Sequence, residues 1–295
     1  MLTKSFEVHD ERFEKLVLPN VHVETLFSDG RWLEGPVYVP AGRYLLFSDI
    51  PNDRVLRWDE TDGSVSTFLS PSRNANGHTL DREGRVVACE HLSRSVTRTE
   101  HDGSLTVIAD RFQGKRLNSP NDVVVAADGA VWFTDPTYGI ANDYEGERAE
   151  SEIGSHNVYR VAPSGDVRAV LTDFVQPNGL AFSSSGAVLH VVDSGSKPGR
   201  IVAFDVVDGA GLARPRLVSE CPCGVYDGLR IDRHGNIWAA AGDGVHCLAP
   251  DGRLLGKILL PEVAANVCFG GRHANRLFIC ATRSLHAVYL DTRGV

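Results

Sequence analysis

The sequence lacks the marks of a membrane or exported protein. No stretch of its 295 residues approaches the roughly 18 uninterrupted apolar residues of a transmembrane helix, so no membrane partner is expected. The N-terminal segment MLTKSFEVHDERFEKL contains no apolar core of the kind that directs secretion, so no signal peptide is expected. These two absences predict a cytoplasmic protein.

Paired cysteines are also missing. Cys221 and Cys223 form a CxC rather than a CxxC, and no second pair lies at the spacing of a zinc site. Scattered thiols are typical of a reducing compartment, which agrees with the cytoplasmic expectation. Four cysteines lie in apolar, strand-like runs and are predicted to be buried thiols: Cys89, Cys247, Cys268 and Cys280.

Positive charge is in deficit. The net charge of −8 argues against a nucleic-acid partner, which requires a basic surface. The sequence shows no P-loop, no dinucleotide-binding motif, no GxSxG and no HExxH. The sequence does not indicate an oligomeric state.

What the sequence does contain is one layout repeated six times. Each unit opens with a carboxylate or carboxamide residue, continues through alternating apolar positions, and turns at a small residue eight positions later. The units follow one another at the roughly 40–50 residues of a propeller blade. We call the opening residues the head residues: Glu34, Asn76, Asn121, Asn178, Asp227 and Asn266.

Short strands separated by Gly and Asp turns predict an all-β, six-bladed β-propeller, with residues 1–295 as a single domain and no helical domain. Residues 1–20 show little periodicity and are interpreted as a lead-in. The sixth unit has only three strands, and the strand predicted at 21–27 would supply the fourth and close the ring. A long polar insertion, residues 135–156, interrupts the third unit.

The head residues are expected to gather at one end of the central channel, because the first strand of each blade lines it. Carboxylate and amide oxygens are hard donors that suit Ca²⁺, Mg²⁺ or Mn²⁺. The alternative is that Asn and Asp simply favour turns and strand starts. The insertion at 135–156 joins a second strand to a third, so it lies over the same face and is predicted to be a lid or specificity loop, with Tyr138 placed to cover a ligand.

A second set of acidic residues follows the second strand of five units. These side chains either orient the head residues or are solvated loop acids. They are Asp49, Glu90, Asp135, Asp193 and Asp243.

Several motifs together resemble one known family. From about residue 24 onward, the sequence is similar to the gluconolactonase, senescence-marker-protein-30 and luciferin-regenerating-enzyme family of six-bladed propellers, and most similar to its bacterial gluconolactonase branch. The motifs are EGP at 34–36, KRLNSPND at 115–122, WFTDP at 132–136, PNGLAF at 177–182 and DGL at 227–229.

The resemblance implies specific roles for the head residues. The family holds a divalent cation with a Glu, an Asn and an Asp that match Glu34, Asn178 and Asp227. A further Asn, matching Asn121, binds the metal or the substrate. The resemblance implies Ca²⁺ as the cation, although Mg²⁺, Mn²⁺ and Zn²⁺ use the same donors.

Substrate contacts are predicted at Asn121, Asn76, Arg116 and Tyr138. In the senescence-marker branch an Arg two residues before the Asn contacts the substrate, and here that position is Ser119. Arg116 lies nearby in sequence but does not occupy the same position. The sugar-lactone preference of that branch therefore does not transfer unchanged.

The predicted function is metal-dependent hydrolysis of a lactone, in which Asp227 is either general base or cation ligand. The expected substrate is a sugar lactone. Two alternatives stay open at this point. One is a phosphotriesterase-like hydrolase, because related diisopropyl-fluorophosphatase propellers arrange Glu, Asn, Asn and Asp around calcium. The other is a non-enzymatic interaction platform with a structural ion.

Overall fold

The computed structural model describes residues 4–295 and confirms the six-bladed β-propeller. Six antiparallel sheets, numbered here as blades 1 to 6, follow one another along the chain. In blades 1 to 5 the strands are ordered along each sheet as they are in the sequence, so every connection between them is a local hairpin. Blade 6 combines distant parts of the chain, and so does blade 5 through an added fifth strand near the N-terminus.

The strand bounds are as follows. Blade 1 contains Leu33–Val39, Tyr44–Asp49, Arg54–Asp59 and Val65–Leu69; blade 2 contains Ala75–Leu80, Val86–Glu90, Ser95–Thr99 and Leu105–Ala109; blade 3 contains Val123–Val125, Val131–Asp135, Asn157–Val161 and Val167–Leu171. Blade 4 contains Pro177–Phe182, Val188–Asp193, Arg200–Val207 and Gly211–Glu220; blade 5 contains Leu229–Ile231, Ile237–Ala241, Gly244–Leu248 and Leu254–Leu259; blade 6 contains Ala264–Gly270, Arg276–Ala281, Leu285–Tyr289 and Glu24–Phe27. Outside these sheets lie a hairpin of Arg111–Phe112 and Lys115–Arg116, helices Glu11–Glu14 and Tyr138–Ala141, and the 3-10 turn Ile50–Asn52.

The strand predicted at 21–27 closes the ring, as expected. Glu24–Phe27 pairs antiparallel with Leu285–Tyr289 and forms the outer strand of blade 6. The strand begins three residues later than the predicted start at Val21. Val21 and Val23 instead pack against the apolar cluster between blades 5 and 6.

The lead-in is more ordered than its sequence indicates. Phe6–Val8 pairs with Leu254–Leu259 and extends blade 5 to five strands. A one-turn helix follows, and Asp10 caps it by accepting a hydrogen bond from the backbone N–H of Arg12. Phe13 is fully buried with its ring 6.2 Å from that of Trp238. This segment therefore seals the outer part of the interface between blades 5 and 6.

The hydrophobic core is divided into six clusters, one between each pair of neighbouring blades. This division follows from the sequence, because each strand has apolar residues that face an adjacent blade. The four cysteines predicted to be buried are indeed buried free thiols. Among the described residues, no helix is long and apolar enough to cross a membrane.

Arg276 ties the two ends of the chain together. Its guanidinium lies 4.9 Å from the ring centre of Trp58 in blade 1, and 5.3 and 4.9 Å from those of Phe278 and Tyr289 in blade 6. It also forms an ion pair with Glu24 on the closing strand. Cation–π contacts gain strength when the cation is removed from water, as it is here.

We expect Arg276→Ala to lower the free energy of unfolding by about 2–3 kcal/mol, because it removes these contacts from a nearly buried site. Chemical denaturation monitored by tryptophan fluorescence measures the change. Arg168→Ala is the matched control, since Arg168 is 67% exposed and its ion pair is with the exposed Asp166. Equal stability losses in the two variants would contradict a closing role for Arg276.

Candidate metal and substrate site

A cavity of ≈ 600 Å³ opens at one end of the central channel. Five of the six head residues line it: Glu34, Asn76, Asn121, Asn178 and Asp227. The predicted gathering of these side chains is therefore present in the structure. The sixth head residue, Asn266, supports the cavity from behind by donating a 3.0 Å hydrogen bond from Nδ2 to Glu34 Oε2.

Register shifts in the first strands determine the direction in which several head residues point. The ladder between first and second strands shifts register after Glu34 in blade 1, around Asn76 in blade 2 and around Asn178 in blade 4. A bulge of this kind redirects a side chain that regular pleating would send elsewhere. The sequence predicts that every head residue precedes its first strand. This holds for Asn121 and Asp227 but is wrong for the other four, which lie within the first strand: Glu34, Asn76, Asn178 and Asn266.

Glycines set the spacing between neighbouring head residues. In blades 1, 2, 4 and 5 a glycine directly follows the head residue. Gly77 N donates to Asn121 O at 2.8 Å, and Gly179 N donates to Asp227 O at 3.2 Å. A Cβ at Gly77 would lie 2.5 Å from Asn121 O, and one at Gly179 would lie 2.4 Å from Asp227 O. Only glycine allows neighbouring blades to approach this closely.

Three of the acidic residues after the second strands hold the backbone that leads into the head residues. Asp49 accepts from Arg31 N at 3.0 Å, Asp135 from Asn118 N at 2.9 Å, and Asp193 from Gln176 N at 3.0 Å. In each case the bonded amide belongs to the same blade and lies two or three residues before the head residue.

Burial excludes a solvated-loop role for most of this acidic set. Asp49, Glu90, Asp135 and Asp193 are buried. Glu90 differs in its partner, since it binds the Arg73 guanidinium through two 2.6 Å contacts. Asp49, Asp135 and Asp193 therefore support the cavity through the backbone, and none of the five acidic residues lines it.

The electrostatics of the cavity are dominated by Glu34 and Asp227. Burial is the main cause that raises the pKa of Glu34, and hydrogen bonds from Gly35 N and Asn266 oppose it. Burial also raises the pKa of Asp227 well above its usual range, and the charge of Glu34 raises it further. Glu34 is buried and Asp227 is partly buried, and two carboxylates that repel each other in such positions favour either a bound proton or a cation.

The amides complete a set of oxygen donors. Asn76 Oδ1 is buried and has no hydrogen-bond partner in residues 4–295. No cluster of three or more His, Cys, Asp or Glu side chains within that range is arranged to hold a metal ion. Any cation in this cavity would therefore be held by carboxylates and amides together, which matches the preference of hard cations.

The predicted substrate residues are only partly brought together. Tyr138, at the start of the helix in the insertion, lines the cavity with Asn76 and Asn121. Arg116 does not line it. Its backbone N–H donates to Glu152 Oε2 at 2.9 Å, and its guanidinium points to Ser93 O. Because Arg116 is engaged by these two residues and lies outside the lining of the cavity, the geometry gives no support to substrate binding by Arg116.

Several lining residues were missed by sequence reasoning. Glu145 reaches the cavity from the insertion, where only tyrosines drew attention. Ser194 and Lys197 follow Asp193 at the end of a second strand, so the rule that placed Asp193 on this face could have found them. Trp32 also lines the cavity and immediately precedes the first strand of blade 1.

Comparisons of sequence and fold with known proteins find relatives over most of the chain. Residues 32–283 match the model of the SMP-30/gluconolactonase/LRE-like region. The gluconolactonase of Zymomonas mobilis is 32% identical, with 96% of this chain and 85% of the relative covered. The pentonolactonase of Haloferax volcanii is 29% identical, with 83% and 80% covered. The solved structure of a Xanthomonas campestris gluconolactonase has a TM-score of 0.91 at 37% identity, with 97% and 94% covered.

Proposed function

The chain belongs to the SMP-30/gluconolactonase/LRE-like family, and from this premise we propose that it is a lactonase that uses one divalent cation to open a sugar lactone. The observation that carries the proposal is the cavity in which Glu34 and Asp227 converge with three amide side chains. Gluconolactonase and pentonolactonase relatives support the lactone as the substrate class.

The residues present fit a divalent cation, with Ca²⁺ as the first choice and Mg²⁺, Mn²⁺ or Zn²⁺ as alternatives. Glu34, Asn178, Asp227 and Asn121 would hold it. The fit rests on the raised pKa values of the two carboxylates and on the donor chemistry of the amides. A cation removes the repulsion that disfavours ionisation of both acids.

When bound, such a cation polarises the lactone carbonyl and stabilises negative charge on its oxygen. Asp227, as general base, takes a proton from the attacking water at its carboxylate and returns it to the ring oxygen that leaves when the lactone C–O bond breaks. Glu34 is held in place by Gly35 N at 2.7 Å and by Asn266. Asn121, Asn76 and Tyr138 orient the substrate from the wall of the cavity.

The experiment that tests the proposal is hydrolysis of D-glucono-δ-lactone by chelator-stripped protein, followed by restoration of each cation separately. We expect stripping to lower kcat by more than tenfold, and one of Ca²⁺, Mg²⁺, Mn²⁺ or Zn²⁺ to restore it. Retention of full activity after stripping, with residual metal verified by mass spectrometry, would refute the metal-dependent mechanism.

The same assay separates the alternatives. A fluorophosphate in the substrate panel tests phosphotriesterase activity, and tight cation binding without any turnover would indicate an interaction platform. None of the relatives described above is named a phosphotriesterase. Lactone hydrolysis therefore remains the function that the observations support best.

A further inference from the structure

The insertion brings a third carboxylate to the cavity. Glu145 is half-buried and lines the same cavity as Glu34 and Asp227. Within residues 4–295 its carboxylate takes part in no ion pair, and the only hydrogen bond of this residue to a side chain uses its backbone carbonyl. Loss of hydration raises the pKa of Glu145 to about 7. The proposed cation ligands leave this carboxylate without a role.

The position of Glu145 is fixed by close packing on His91. His91 Nδ1 lies 2.9 Å from the backbone oxygen of Glu145. A Cβ on Gly139 would lie 2.4 Å from His91 Cγ, and one on Gly146 would lie 2.1 Å from Gly139 O. The loop therefore folds back on itself against the imidazole, which holds the carboxylate at the cavity wall.

The same imidazole orients Asn76. A carbonyl oxygen only accepts hydrogen bonds, so Nδ1 of His91 must carry the proton that bonds Glu145 O. Burial lowers the pKa of His91 to about 4, so the ring is neutral near pH 7 and Nε2 is an acceptor. Asn76 Nδ2 lies 3.3 Å from Nε2 and donates to it. This leaves Asn76 Oδ1, which has no hydrogen-bond partner among residues 4–295, available to a ligand.

We infer that Glu145 and Asn76 Oδ1, both positioned by His91, accept hydrogen bonds from substrate hydroxyl groups and so select polyhydroxylated lactones over unsubstituted lactones of the same ring size. The inference rests on the proposed function and adds a substrate-selecting wall to it. An unsubstituted lactone would leave both acceptors desolvated and unpaired, which is the strongest way for a polar site to reject an analogue.

The test compares D-glucono-δ-lactone with δ-valerolactone, which has the same ring without hydroxyl groups. We expect Glu145→Gln to lower kcat/KM for the sugar lactone about 10- to 100-fold, mainly through KM, and to change that for δ-valerolactone less than about threefold. His91→Phe keeps an aromatic ring but loses both hydrogen bonds, so it should shift selectivity in the same direction. Glu147→Gln alters an exposed carboxylate of the same loop and should leave both substrates unchanged.

Two results would overturn the inference. One is an equal loss on both lactones in Glu145→Gln, and the other is a Ca²⁺ affinity lowered more than tenfold by calorimetry, which would make Glu145 a cation ligand. Failure of the proposed function is distinguishable, because the wild-type protein would then hydrolyse neither lactone. In that case, calorimetric binding of the non-hydrolysed D-glucono-δ-lactam still decides the inference. Equal affinity of wild type and Glu145→Gln would refute it, and weaker binding by the variant would uphold it.

Discussion

Asp227→Asn is expected to lower kcat/KM for lactone hydrolysis about 10³-fold while the propeller remains folded. The substitution preserves shape and the amide remains a possible oxygen ligand, but it cannot accept the proton of the attacking water. The backbone of residue 227 stays anchored through its N–H, which donates to Ala240 O at 3.1 Å, and through its carbonyl, which accepts from Gly179. Removing a carboxylate with a raised pKa also lowers the internal repulsion with Glu34.

Two comparisons test whether the effect is specific to Asp227 and which role this residue has. Asp173→Asn changes an exposed aspartate outside the cavity and should leave both turnover and stability unchanged. Calorimetric titration of Ca²⁺ into Asp227→Asn separates the two roles of this residue. A loss of turnover with retained cation affinity indicates a base, and a parallel loss of both indicates a ligand. Turnover near that of the wild type would rule out the base role.

Gly35→Ala is expected to reduce the free energy of unfolding by more than about 3 kcal/mol and to abolish most of the activity. Gly35 has a φ of +51°, in the left-handed region that L-residues avoid, and the added Cβ would lie 1.8 Å from Asn76 O. That oxygen belongs to the backbone, so neither side can yield without moving Glu34 or Asn76. Thermal denaturation with a parallel activity assay measures both effects.

The control for Gly35→Ala is Gly63→Ala. Gly63 also has a positive φ, +74°, but its added Cβ would meet nothing within 4 Å. This second variant therefore carries only the backbone strain, about 1 kcal/mol, and should retain full activity. Similar losses in the two variants would show that strain alone matters and that the close contact between blades 1 and 2 does not.

The architecture was predictable because the four principal strands of each of blades 1 to 5 follow one another directly in the sequence. Four short strands joined by tight turns produce a repeating pattern of roughly 40–50 residues. Asn76 and Asn178 can therefore be recognised by their position within the repeat. Ring closure was also predictable, since a sixth blade with three strands requires a partner for Leu285–Tyr289. Both inferences depend only on periodicity and on counting strands.

The role of the lead-in and part of the cavity lining could not be predicted, because they depend on contacts between residues outside the repeating pattern. Phe13 belongs to no repeat, and only packing against Trp238 reveals that the lead-in is part of the core. Glu145 and Arg116 are both polar residues in irregular segments near the third blade. Sequence alone favoured Arg116 because it lies close to Asn121 in the chain. In the structure, the path of the insertion across His91 places Glu145 at the cavity instead.

The glycines that follow the head residues imply that the size of the cavity and the composition of its rim are determined by different parts of the chain. Backbone hydrogen bonds from Gly77, Gly179 and Gly228 connect blade 2 to 3, blade 4 to 5 and blade 5 to 6 beside the head residues, without contribution from the loops around the rim. In the proposed lactonase, main-chain geometry would therefore set the dimensions of the cavity, and segments such as 135–156 would set the choice of substrate. Such an arrangement lets loops change in length and composition, and thereby retune the choice of substrate, without rebuilding the centre that performs the chemistry.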